Sequence, residues 1–182
     1  MMTDKYSLKR CVALLVAVFA VGACSGASGY KGDGKLIDNG PSAATDRYVL
    51  DLGPLDLARN AKSQFRMANL PAEVFVAGLQ LTPDKNGVRQ RLDKNSTSAV
   101  VSMEVMDQQG NVVLKVSKPL SDWTWSASSA TSTVFVYGGY GVMTSFKPER
   151  ERTYTVSVDV LQPDQAAQDI LARLLLKGGG WK

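Results

Sequence analysis

The chain has 182 residues, with 21 Lys and Arg, 17 Asp and Glu, 2 Cys and no His. The missing histidine excludes Ser-His-Asp and Cys-His catalysis, HExxH metalloprotease sites and every His-containing zinc site. A hydrophobic share of 45% against 21% charged residues is that of a globular protein, and the length suits one modest domain.

Residues 1–10 are polar and carry Lys5, Lys9 and Arg10, and residues 11–22 (CVALLVAVFAVG) are almost wholly apolar. This is the basic n-region and hydrophobic h-region of a signal peptide. As a helix the apolar run would reach about 18 Å, short of the ~30 Å hydrocarbon core, so it reads as a leader and not as a permanent membrane span.

Val21-Gly22-Ala23-Cys24 closes the leader and resembles the lipobox of bacterial lipoproteins. The resemblance implies that the Cys24 thiol carries the lipid attachment, that residues 1–23 are cut away, and that the new amino terminus is acylated. Gly22 and Ala23 are the small residues of that pattern, and Val21 stands where leucine is more usual. The resemblance thus implies a lipid-anchored protein of the cell envelope. Ser25 replaces the aspartate that favours inner-membrane retention, which points to the outer membrane of a two-membraned host, with the periplasmic or surface side left open. Two acyl chains anchor stably where one binds only marginally.

Cysteine and charge then read differently. Cys11 leaves with the leader and Cys24 is taken by lipid, so no thiol or disulfide is expected in the mature chain. Lys5, Lys9, Arg10 and Asp4 also leave, and the excess of four positive charges falls to two. No nucleic-acid partner is expected from so small an excess.

Residues 24–44 are rich in Gly, Ser and Ala and read as the lipidated cysteine and a flexible tether. Leu36 and Ile37 would shorten that tether if they formed a first strand. The folded domain is expected over 45–182, where apolar residues recur with a period of two. Strands are expected at 47–52, 62–68, 73–82, 99–106, 112–118, 122–127, 133–137 and 152–160, with Pro54, Pro71, Pro83, Pro119 and Pro148 falling around the runs. Asp107-Gln108-Gln109-Gly110-Asn111 reads as a hairpin turn. The spacing predicts an all-β fold, a two-sheet antiparallel β-sandwich of about eight strands, of jelly-roll or immunoglobulin-like type. At the C-terminus a short helical turn is expected at 163–168 and a closing strand at 169–177.

Chemistry-bearing residues are sparse. Trp123 and Trp125, at strand spacing, form either an aromatic platform for a partner or part of the core. Tyr137 and Tyr140 flank Gly138-Gly139, as an adaptable contact loop or a plain hairpin connection; the GxGxxG spacing fails. Trp181, beyond three glycines, either seals the end of the sandwich or docks on a partner. Asp38-Asn39-Gly40 and Asp84-Lys85-Asn86-Gly87 lack the further ligands of a calcium loop and read as turns. Lys147–Arg152 mixes both signs and reads as a solvated turn, while Arg89, Arg91 and Lys94 form the one basic cluster.

The expectation is a binding module with no catalytic residues, metal or cofactor. Its membrane contact runs through the lipid and its partner is a protein in the periplasm or at the surface. Two other forms of the binding reading are an immunity or inhibitor lipoprotein against a secreted toxin or hydrolase, and a glycan- or peptidoglycan-binding module. A hydrolase using carboxylates alone, such as Asp51 with Asp56, comes last.

Overall fold

The computed structural model describes residues 29–41, 46–83, 92, 95–128, 133–137 and 144–179, with backbone alone at 83, 125–128, 133 and 135–137. Among the described residues there are twelve strand segments: β1 (Lys31–Gly32), β2 (Lys35–Asp38), β3 (Tyr48–Leu55), β4 (Lys62–Ala68), β5 (Phe75–Pro83), β6 (Val100–Asp107), β7 (Val112–Pro119), β8 (Thr124–Ser128), β9 (Thr133–Tyr137), β10 (Ser145–Phe146), β11 (Thr153–Gln162) and β12 (Ile170–Gly178). One sheet has the order β1-β4-β11-β6-β7, the other β2-β3-β12-β5-β9-β8, and β10 also pairs with β5. Each of these pairings is antiparallel.

The alternating pattern decides which face each strand buries. In β11 Tyr154, Val156, Val158 and Val160 are buried while their neighbours are half-exposed, and Val101, Met103 and Val105 repeat this in β6. Leu50 and Leu52 of β3, Leu79 and Leu81 of β5 and Leu174 and Leu176 of β12 supply the facing layer. Between the two forms expected, the strand order is the jelly-roll one. β3-β12-β5-β9 lies over β4-β11-β6-β7, so β3, β4, β5 and β6 alternate between sheets and the late strands β11 and β12 insert between early ones. Outside those eight, β8 is the strand expected at 122–127, and β1, β2 and β10 are short further segments.

Part of the segment read as tether belongs to the sandwich. β1 pairs with β4 and β2 pairs with β3, so two residues, Asp33 and Gly34, carry the chain from one sheet to the other. The Asp33 N–H donates to the Arg66 carbonyl at 2.8 Å, and its carboxylate accepts the Arg66 N–H at 2.7 Å. Tyr30 and Leu36 pack against the core. Composition misleads here because the glycines serve close approach. A Cβ at Gly32 would lie 2.2 Å from the Arg66 carbonyl oxygen, and one at Gly34 would lie 2.4 Å from that of Asp51. Residues 29–38 thus form a clasp across one edge of both sheets.

The β11–β12 connection follows the expectation. A 3-10 turn, Gln165–Ala167, precedes the closing strand. Asp164 caps it, accepting from the Ala166 N–H at 3.0 Å, the Ser98 N–H at 2.7 Å and the Thr97 hydroxyl at 3.1 Å. These donors, the Ser98 N–H foremost, hold its carboxyl below the ordinary carboxylate value. A depressed carboxyl stabilises the fold above its unfolded value and ceases to do so as pH falls through the folded one. The increment from Asp164 is therefore expected in full at neutral pH and begins to decline as pH falls below about 4. Asp164→Ala should cost about 1 kcal/mol at pH 7 and less at pH 3, measured by urea unfolding at both values.

Candidate functional site

Of the aromatic candidates the structure places the side chain of Trp123, in the core alternative expected for it. Trp123 is 4% exposed and belongs to the core, so its indole does not form half of a surface platform. The strand begins one residue later, at Thr124, and Trp123 instead closes the 3-10 turn Leu120–Asp122 by donating its N–H to the Leu120 carbonyl. Trp125 lies opposite Phe135 on the β8–β9 pair, where the backbone is described. Cys24, Tyr140, Trp181, the basic cluster of Arg89, Arg91 and Lys94, and the turn at 84–87 lie outside the described residues.

The plain hairpin reading of the Gly/Tyr segment is corrected by the pairing. Tyr137 lies opposite Ala77 and Ser145 opposite Val76, both antiparallel to β5. β9 and β10 therefore follow one another along the same edge of β5 in the same direction and are not the two arms of a hairpin, while residues 138–143 lie outside the described residues. β10 then brings Phe146 between Phe75, at 6.1 Å between ring centroids, and Tyr154, at 5.5 Å.

The acidic candidates are engaged. The Asp51 carboxylate accepts from Nε and Nη2 of Arg173 at 3.0 and 2.7 Å and from the Gly53 N–H at 3.0 Å. Asp56 accepts the Ala58 N–H at 2.9 Å and faces Arg59 at 3.8 Å. Asp38 makes the turn expected of it, accepting the Gly40 N–H at 2.8 Å. Among the described residues no group of three or more metal-ligating side chains converges.

A groove of about 660 Å³ opens at the end of the sandwich where β2 ends and β3 begins. Its walls come from the clasp (Gly29, Leu36, Asp38), the start of β3 (Arg47, Tyr48), the β4–β5 turn (Asn69, Leu70, Pro71, Ala72, Glu73) and the turn before β11 (Arg150, Glu151). Asn69 and Glu151 both hold positive φ, at 56° and 62°, in the two turns that frame it. The Asn69 side chain ties that turn to the clasp by donating to the Gly29 carbonyl at 3.0 Å.

Arg47 is the most constrained charge in the groove. Its Nε donates to Asp38 at 3.4 Å, and its guanidinium lies 4.8 Å from the centroid of the Tyr48 ring, a cation–π arrangement. The Asp38 hydrogen bond raises the Arg47 pKa further, so it is a permanent cation. Burial pushes the Tyr48 and Tyr30 hydroxyls up, with Asp33 adding to the effect at Tyr30, and both stay protonated donors at neutral pH. Arg150, Glu73 and Glu151 make no ion pair or side-chain hydrogen bond with another described residue. The groove thus presents one uncommitted cation, Arg150, and one uncommitted carboxylate, Glu151, around the Arg47–Asp38 pair, while Glu73 acts on Arg47 and Tyr48 by charge.

Sequence reasoning passed over these residues as two unrelated turns. Asp38-Asn39-Gly40 and Lys147–Arg152 are more than a hundred residues apart, and no local signal joins them. No protein-family model matches the chain, and no curated protein matches it either.

Proposed function

We propose that this protein is a lipid-anchored component of the bacterial cell envelope, held through Cys24, that works by contact with a protein partner and carries out no catalysis. The groove is the contact surface. The observation that carries the reading is its set of charges of both signs, with Arg150 and Glu151 uncommitted and Glu73 beside the Arg47–Asp38 pair, at one end of the jelly roll. Such a rim can recognise a polypeptide segment by complementary ion pairs, which give register and specificity more than raw affinity. A proton-transfer reading through Asp51 and Asp56 fits less well, because Asp51 is committed to the Arg173 guanidinium and Asp56 accepts the Ala58 N–H and faces Arg59.

Two substitutions test the two halves of the proposal. Cys24→Ser should move the protein from the membrane to the soluble fraction, and continued membrane retention would refute the anchor. For the contact, a photo-crosslinker at exposed Ala72 on the groove rim should form one discrete adduct in cells. Arg150→Glu should cut its yield at least about fivefold, since reversing a charge turns an attraction into a repulsion of similar size. The same adduct in equal yield from a crosslinker at Arg59, or no change on charge reversal, would remove the groove as the contact surface.

A further inference from the structure

We infer that the groove is the membrane-proximal end of the anchored protein, and that its partner is a polypeptide segment emerging from a bilayer-embedded protein. The inference rests on the lipid anchor at Cys24 and extends it with what the clasp does to the geometry. Composition alone would give a tether of about twenty residues. The clasp leaves five steps of chain between Cys24 and Gly29, and a fully extended chain spans at most about 3.5 Å per residue, so Gly29 lies within roughly 17 Å of the lipidated residue in any conformation.

Gly29 is itself part of the groove wall and accepts the Asn69 side chain there. The Asp33–Arg66 hydrogen bonds and the two close-approach glycines hold the clasp so that Gly29, the first described residue, lies at this end. The opposite end, with the β3–β4 turn at Arg59, is separated by the length of β3, eight residues or about 26 Å. The anchor therefore brings the groove to the headgroups and carries Arg59 away from them.

Charge decides what meets it there. With Asp38, Glu73 and Glu151 against Arg47 and Arg150, the groove is net negative. An anionic leaflet surface attracts polybasic segments and not a face of this sign. A polypeptide segment that carries both charges and stands at the bilayer surface matches the position and the rim together.

The test uses the full lipidated chain in phosphatidylethanolamine–phosphatidylglycerol vesicles, with a fluorophore on a single introduced cysteine at Ala72 or at Arg59. A headgroup-level quencher should act several-fold more strongly at Ala72, and fifteen Gly/Ser residues inserted after Ser25 should erase the difference. Equal quenching at both positions, with Cys24 shown by mass spectrometry to carry lipid, overturns the orientation while leaving the anchor intact. Absence of lipid on Cys24 fails the anchor, and the orientation falls with it. In cells, the crosslinked adduct from Ala72 should contain peptides of a membrane-spanning protein. A water-soluble protein in that adduct, or no adduct at all, overturns the partner class.

Discussion

Phe75→Ala should lower the unfolding free energy by about 3–5 kcal/mol, the range for removing a buried aromatic side chain from a core that relaxes only in part. Phe75 is fully buried at the start of β5, beside Phe146 and across from Gly178 on β12. The pairing is mutual: a Cβ at Gly178 would sit 2.8 Å from the Phe75 ring, so the ring covers the strand where glycine leaves it bare. Removing the ring opens a void at the groove end of the sandwich, where Phe146 and Tyr154 continue the aromatic stack. Urea unfolding followed by tryptophan fluorescence, to which buried Trp123 contributes, measures the loss. A loss under about 1 kcal/mol would mean that this end of the core is not packed as described.

Gly34→Val should open the clasp. The position has φ +81° and a Cβ there would lie 2.4 Å from the Asp51 carbonyl oxygen, a backbone atom that cannot swing aside. A β-branched residue cannot adopt that backbone without strain of about 1–3 kcal/mol, before the clash is counted. The expected cost is about 2–3 kcal/mol, limited because the clasp can detach while the remaining strands stay paired. Trypsin supplies the readout. Lys31 and Lys35 lie within β1 and β2 and should be cut slowly in the unchanged protein and quickly in the variant. Detachment also frees residues 29–38 from the sandwich and removes Gly29, Leu36 and Asp38 from the groove wall. The quenching difference between residues 72 and 59 should then fade, as it does with an inserted spacer. An unchanged tryptic pattern would show that the clasp does not depend on close approach at Gly34.

How far the fold is legible depends on whether its determinants are local. The strand at 62–68 and the one at 133–137 coincide with their expected limits, because alternation of apolar and polar residues is a property of neighbours. The turn at 165–167 is legible for the same reason: Pro163 and Asp164 lie beside the turn that Asp164 caps. Trp123 illustrates the limit. A two-residue spacing from Trp125 leaves a platform and a core position both open, and only the closed sandwich, in which the 3-10 turn before Thr124 delivers Trp123 to the core, decides for the core. The segment 29–41 shows a second limit, since glycine marks both a loose linker and a close backbone contact, and composition does not separate them.

A leader-like apolar run, a lipobox-like pattern at Cys24, the exclusion of histidine chemistry and an all-β sandwich with most of its strand limits are all readable along the chain. Each rests on residue types alone or on residues within a few positions of one another. The jelly-roll order, the shared edge of β5 along which β9 and β10 both run, the clasp and the groove exist only in three dimensions. Those features join Gly29, Asp38, Arg47, Glu73 and Arg150 across more than a hundred residues. Contacts at such separation arise only when both sheets close on one core, because burial of apolar surface has no direction along the chain and leaves no local pattern to read.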